Sequence, residues 1–228
     1  MANIKENTSA EALGNSEAFF IKHKKAIMAA VAVVVIVVVG LILYNNYYVG
    51  PHEAEASTAL AKGQEYFAAE DYETALNGNK SGYTGFLAVA SDYSGTDAGN
   101  LANLYAGLCY ARLDKWNEAV TYLEKYSTSD DQMISPAAIN ALGDAYAHTD
   151  NLDKAVELYK KAAKMADAVA ADGVNNSLSP TFLIKAGEIL EHQGDKAAAL
   201  EIYKEVKTKY INSSVSREID KYIQRASI

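Results

Sequence analysis

Four stretches of this chain repeat one pattern around a glycine. They are ALAKGQEYFAAEDYETAL at Gly63, LYAGLCYARLDKWNEAVTYLEKY at Gly107, INALGDAYAHTDNLDKAVELYKKA at Gly143 and LIKAGEILEHQGDKAAALEIYKEV at Gly187. Three residues after each glycine stands an aromatic residue or leucine (Tyr66, Tyr110, Tyr146, Leu190), and twelve after it an alanine (Ala75, Ala119, Ala155, Ala199). Three repeats add a large apolar residue four further on: Leu123, Tyr159 and Tyr203. Glycine and alanine suit the places where two helices approach closely, and larger side chains fill the space between neighbouring pairs. One helix pair cannot bury its own apolar face, so such pairs must stack. The pattern predicts an all-α solenoid of about four helix pairs.

These small and large residues resemble the tetratricopeptide repeat, a helix–turn–helix unit of about 34 residues. The turn chemistry agrees. Asp71, Asn151 and Asp195 precede the second helix of their pairs, where a cap is expected, and Ser135-Pro136 and Ser179-Pro180 place a hydroxyl N-cap before a proline at the first helical position. Trp116 falls where Tyr72 and Leu152 sit in other repeats and is read as a packing residue. The glycine spacings are 44, 36 and 44 residues, so two repeats carry insertions. In the first, NGNKSGYTG (77–85) breaks the second helix, which resumes at Phe86. In the third, the helix runs on through KMADAVAADG until NNSLSP ends it. The last stretch, 215–228, places Ile219, Tyr222 and Ile223 among charges and reads as a capping helix.

Residues Ala26 to Tyr44, AIMAAVAVVVIVVVGLILY, carry no charge and no strongly polar side chain. At ~1.5 Å per residue such a helix is roughly 28 Å long, about the thickness of a bilayer's hydrocarbon core. Lys22, Lys24 and Lys25 precede it, and Tyr44, Tyr47 and Tyr48 follow it with no charge before Glu53. Lysines favour the cytoplasmic side of a span and tyrosines suit the headgroup layer. The expected division is therefore a cytoplasmic tail (1–25), a transmembrane signal anchor (26–44), a linker (45–52) and an external repeat domain (53–228). In a bacterium this is a single-pass inner-membrane protein with a periplasmic domain. A cleaved signal peptide fits less well. Its apolar stretch is usually ~7–15 residues with a small-residue cleavage site, whereas this run ends in Leu41, Ile42, Leu43 and Tyr44 and is preceded by Glu6, Glu11 and Glu17.

Composition narrows the chemistry. Residues 26–228 hold 17 basic and 26 acidic residues, a formal −9, which lacks the basic footprint of a nucleic-acid binder. Cys109 is the only cysteine and lies in an apolar helical pattern, as a small buried residue would. The four histidines form no metal-ligand spacing and none lies near Cys109 in the sequence. Phosphate loops and nucleophile elbows are absent. Asp130-Asp131 read as turn and capping residues. The expectation is a chain that is not an enzyme, with no catalytic, cofactor-binding or metal-binding residue, no cofactor and no small-molecule substrate. Its partners are expected to be proteins.

In stacked helix pairs the first helices line a groove. Its candidate residues are Leu60, Gln64 and Phe67; Leu104, Leu108 and Arg112; Asn140, Asp144 and His148; and Ile184, Glu188, Glu191 and His192. Arg112, His148 and His192 each follow their glycine by five residues and form a row. The first two repeats offer a more apolar strip, the last two a more acidic one. Asn140 matches one of the asparagines with which some tetratricopeptide domains clamp a terminal carboxylate, but the lysines of that clamp are missing. An alternative is that several of these residues only pack against the terminal helix.

The short acidic tail, Phe19-Phe20 before the lysines, one span, tyrosines and repeats together resemble the YfgM-like proteins, ancillary subunits of the bacterial SecYEG translocon. The stretches ALNGNKSGYTGFLAVASDY and GNLANLYAGLCYA are similar to tetratricopeptide proteins of the Bacteroidetes. The resemblance implies translocon subunits and a periplasmic chaperone as partners. A scaffold for cell-envelope or outer-membrane assembly is the alternative.

Overall fold

The computed structural model describes residues 2–228, with side chains for 22–47 and 49–228. The side chains of Phe19, Phe20 and Tyr48 and of the acidic tail lie outside the described residues. The chain divides into two compact units, Met1–His52 and Glu53–Ile228.

The first unit is built on α1 (Ala2–Tyr44), followed by a π-turn over Asn45–Val49. From Met28 to Tyr44 its large apolar side chains are all exposed, Ile36 at 70% and Val38 at 48%. An all-round apolar helix finds no stripe to bury against protein, and this one is long and apolar enough to cross a membrane. Residues 45–52, expected as a linker, are helical: α2 (Gly50–Ala68) begins within them.

In the second unit every described element is helical. The four pairs are α2 with α3 (Tyr72–Asn77) and α4 (Phe86–Asp92), α5 (Asp97–Arg112) with α6 (Trp116–Leu123), α7 (Ile134–His148) with α8 (Leu152–Ala168), and α9 (Ser179–His192) with α10 (Lys196–Lys209). A 3-10 turn over Ser214–Arg217 leads to α11 (Ile219–Ala226), which packs on α10 and closes the stack with Ile219 and Ala226 buried.

The repeat pattern is the packing code. Ala75, Ala119, Ala155 and Ala199 are completely buried. A β-carbon on Gly107 would come 2.5 Å from Leu123, one on Gly143 2.8 Å from the Tyr159 ring, and one on Gly187 2.4 Å from the Tyr203 ring. The residue sixteen places on therefore fills the room each glycine leaves. In the first pair the insertion removes that residue. Tyr83 and Phe86 take its place, 2.2 and 2.3 Å from a β-carbon on Gly63. The break after Asn77 and the restart at Phe86 are as the sequence predicts. Gly78 and Gly85 sit at φ +79° and +91° with backbone packed against both, so the inserted loop closes on itself.

Three details differ from expectation. The hydroxyls of Ser135 and Ser179 do not cap. Both serines lie inside their helices and are fully buried, Ser179 donating to the Ala163 carbonyl at 2.9 Å and to Asp167 at 2.7 Å. The cap of α7 is Asp131, which accepts from the backbone N–H groups of Met133 and Ser135 at 2.9 and 3.0 Å. Burial opposes the Asp131 charge, but these bonds and the Ser135 hydroxyl hold its pKa down to about 2. Helix α8 stops at Ala168, short of VAADG. Asp167 is turned inward there, accepting from Asn175 N–H, Ser179, Lys209 and Tyr210 at 2.6–2.8 Å, and Gly173 reverses the chain at φ +65°. Asp71 and Asp195 cap α3 and α10 as expected, while Asn151 makes no side-chain cap.

Candidate partner-binding groove

The first helices α5, α7 and α9 leave two hollows between them. One, of about 460 Å³, is walled by Leu108, Ala111 and Arg112 of α5, Trp116 of α6, and Ala141 and Asp144 of α7, with Asp114 at its rim. The next, of about 340 Å³, is walled by Asp144 and Ala147 of α7, Tyr159 of α8, and Lys185, Glu188, Ile189 and His192 of α9. Asp144 belongs to both. The structure thus brings together five of the expected residues: Leu108, Arg112, Asp144, Glu188 and His192.

Others are occupied elsewhere. Leu60, Leu104 and Ile184 are each 6% exposed and belong to the core. Gln64 donates to the Tyr105 hydroxyl at 3.0 Å, and Phe67 meets Tyr72 and Tyr105 edge-on. His148 lies flat on Trp116, ring centres 3.7 Å apart and planes 2° from parallel, so Trp116 joins the second pair to the third. Arg112, His148 and His192, expected as a row, are all exposed, and their neighbours differ.

The acidic character of the last two pairs is mostly used up internally. Lys185 Nζ donates to Asp144 at 2.7 Å and to the Asn140 side-chain Oδ1 at 3.2 Å. Tyr159 donates to the same carboxylate at 2.7 Å. Burial, and then the Asp144 charge, push the Tyr159 pKa up. One pair further on, Tyr203 donates to Glu191 at 2.6 Å, and Arg225 of α11 clamps Glu191 from Nε at 2.9 Å and lies 3.8 Å from Glu188. The Arg225 bonds hold the Glu191 pKa below its ordinary value. A tyrosine seated on a glycine, a carboxylate and a cation from the following helix therefore recur twice, as Tyr159–Asp144–Lys185 and Tyr203–Glu191–Arg225. Sequence reasoning missed this relay. The signal was available: a tyrosine sixteen residues after Gly143 and Gly187, where Gly107 has Leu123. It also missed Glu53, whose carboxylate accepts from the Asp97 and Ala98 N–H groups at 2.8 and 3.0 Å and so caps α5.

Among the described residues no cluster of histidine, cysteine and carboxylates could hold a metal. Cys109 is fully buried, which pushes its thiol pKa up to about 12.

Three stretches match tetratricopeptide repeat models: residues 101–129, 136–168 and 159–214. The first pair, with its broken second helix, lies outside all three. No curated protein matches the sequence. Among solved structures, the chain is similar to the nearly identical TPR-like repeats of a Podosopora anserina protein described as a kinesin light chain. The TM-score is 0.56 at 14% identity, over 77% of this chain and 86% of that one. At that identity the likeness concerns the fold alone.

Proposed function

From the tetratricopeptide repeats of this chain, a fold that serves protein–protein interaction, we propose a membrane-anchored adaptor that holds partner proteins at the membrane surface. The observation that carries the anchor is the helix of residues 26–44, apolar all round, with its large side chains exposed from Met28 to Tyr44. Water exposure of so much apolar surface is unfavourable at roughly 25 cal/mol per Å², and lipid removes it. The lysines before the span and the tyrosines after it favour an N-terminus in the cytoplasm and repeats outside, in the periplasm of a bacterium. Tethering raises the effective concentration of the groove for a partner in the same membrane. The reading extends to an accessory subunit of the protein translocon or of the periplasmic chaperone network.

Cross-linking in native membranes followed by mass spectrometry tests it. Recovery of translocon subunits and a periplasmic chaperone is the expected result. Recovery of outer-membrane assembly factors in their place overturns the translocon role in favour of an envelope scaffold. Orientation is checked separately: protease added to spheroplasts is expected to digest residues 53–228, and their protection would reverse the topology.

A further inference from the structure

The stacked helix pairs have two edges. One holds the turns inside the pairs, at Glu70-Asp71, Asp114-Lys115, Asp150-Asn151 and Gly194-Asp195, all exposed. The other holds the joints between pairs, and side chains stitch it from end to end. Glu53 accepts from the Asp97 and Ala98 N–H groups. Asn100 donates to the Ser127 carbonyl at 2.8 Å and accepts from the Ser127 N–H at 2.7 Å. Gln132 donates to the Val169 carbonyl at 3.2 Å, and Lys209 and Tyr210 donate to Asp167.

The edges differ in what they show to solvent. Among the described residues from Glu53 onward, the exposed large apolar side chains are Met133, Ile134, Ile211 and Ile228. The first three stand on the joint edge, at 66, 50 and 66% exposure. The turns inside the pairs carry none of the four. Met133 and Ile134 do not ride on a slack loop, because Asp131 accepts from both of their backbone N–H groups. Ile211 directly follows Tyr210, which is buried and tied to Asp167.

The chain also enters the repeat unit on this edge. Glu53, the first residue of that unit, is bonded there. The nine residue steps from Tyr44 to Glu53 span at most about 32 Å even when fully extended. A tether that short keeps the bilayer of the anchor at high effective concentration for the edge. Apolar side chains that protrude among polar ones gain by entering the boundary between headgroups and acyl chains. Asp97, Asp130 and Asp172 are exposed on the same edge and oppose adsorption to anionic lipid. The surface that fits is therefore zwitterionic, and apolar insertion holds it.

We propose that the joint edge rests on the bilayer that holds the anchor, with Met133, Ile134 and Ile211 inserted among zwitterionic headgroups. The inference rests on the membrane-anchor reading and adds a second contact with the same membrane.

The full-length protein is reconstituted in phosphatidylcholine vesicles that carry nitroxides at the headgroup and along the acyl chain. Cys109 is buried and stays in place. One cysteine bearing an environment-sensitive fluorophore is introduced at a time: Asn212→Cys beside Ile211, Asn151→Cys on the other edge, and Leu41→Cys in the span, all at exposed positions. Nitroxide quenching at position 212 is expected to exceed that at 151 by at least about threefold, and to fall at least about twofold when Met133→Ser and Ile134→Ser are combined. Replacing about half of the phosphatidylcholine by phosphatidylglycerol is expected to weaken it. Equal quenching on the two edges, quenching indifferent to the paired serines, or quenching that grows with phosphatidylglycerol each overturns the proposal. An emission shift at 212 that nitroxide does not quench assigns the edge to a second copy of the chain and overturns it too. Position 41 separates the two readings. Quenching there and none at 212 leaves the anchor standing and ends the edge contact; no quenching at 41 sinks the anchor reading and the contact with it.

Discussion

At Gly63 the room under the helix is filled by Tyr83 and Phe86, and the Tyr83 hydroxyl ends on the Ala75 carbonyl at 2.9 Å. At Gly143 and Gly187 it is filled by Tyr159 and Tyr203, and their hydroxyls go on to carboxylates that continue to cations on the next helix. The early pairs are joined chiefly by rings, Phe67 and Phe86 on Tyr105, beside the Glu53 cap of α5 and an exposed Lys115–Glu73 pair. The later pairs are joined by rings that terminate in ion pairs. The buried residues divide accordingly. One core runs from Ala56 through Phe86 to Cys109, the other from Leu104 through Tyr159 and Tyr203 to Ala226, and α5 contributes to both. Ring packing is indifferent to pH and salt and tolerates an irregular helix. Ion-paired packing demands register and responds to acid. The insertion that breaks a helix is found in the half that tolerates it, whereas the one between α8 and α9 leaves its helices whole and is tied down through Asp167.

The sharpest way to break this comparison is Asp167→Ala. It leaves Lys209, Tyr210, Ser179 and the Asn175 N–H without their common acceptor. Removing one partner of a buried charge network costs about 3–5 kcal/mol. Calorimetry is expected to show the later core melting earlier. The first core, read by the reactivity of buried Cys109 toward a thiol reagent under native conditions, is expected to stay closed. Cys109 labelling that accelerates in step would mean one cooperative unit and end the division into two.

Gly63→Ala is the reciprocal experiment. Its β-carbon meets Phe86 and Tyr83 at 2.2–2.3 Å, and overpacking of this kind costs about 1–3 kcal/mol. Cys109 is expected to label faster, with the later transition little moved.

Acid should separate the halves more gently. Among the described residues, Asp131, Asp167 and Glu191, the carboxylates whose pKa is lowered, all lie from residue 131 onward. A carboxylate depressed in the folded state contributes stability that is fully present above its unfolded value, near ~4, and is lost as pH falls through the folded value. Between about pH 4 and the Asp131 value of about 2, the later transition is expected to fall faster than the earlier one. Parallel loss in urea titrations across that range would remove the electrostatic side of the contrast.

Lys185→Met should have the smallest effect. Lys185 and Asp144 are each 35% exposed, and a pair of that exposure contributes about 0.2–1 kcal/mol. The expected shift in the later midpoint is correspondingly slight and shrinks at high salt. A loss above about 2 kcal/mol would show the relay to be a buried-type pair.

The glycine frame made the helix pairs, the broken second helix and the capping helix legible in the sequence, because small residues at fixed intervals are a direct record of close helix contact. The start of α7 was not legible. Ser135-Pro136 has the form of a cap, yet Asp131 four residues earlier offers a charged acceptor and wins the backbone N–H groups. The end of α8 was hidden for a related reason: Asp167 reads as an ordinary helical position, and its partners Lys209 and Tyr210 are more than forty residues away. In the groove, residue type identified Leu108, Arg112 and Asp144 but could not tell an available side chain from a buried one, as Leu60, Leu104 and Ile184 show. Register along each helix decides that, and one position of rotation moves a leucine from groove to core.

The twice-used tyrosine–carboxylate–cation relay also bears on how long such a chain can be. Asp144 and Glu188 both follow their glycine by one residue, and Lys185, two residues before Gly187, serves the first of them. A tandem copy of residues 179–213 would set its own lysine after Glu188 and move α11, with Arg225, to the new end. The inner Glu191 would then lose Arg225 to the displaced cap, so the arginine of α11 ties the number of units to the position of the cap, and a duplicated unit would carry one stranded carboxylate into the middle of the stack.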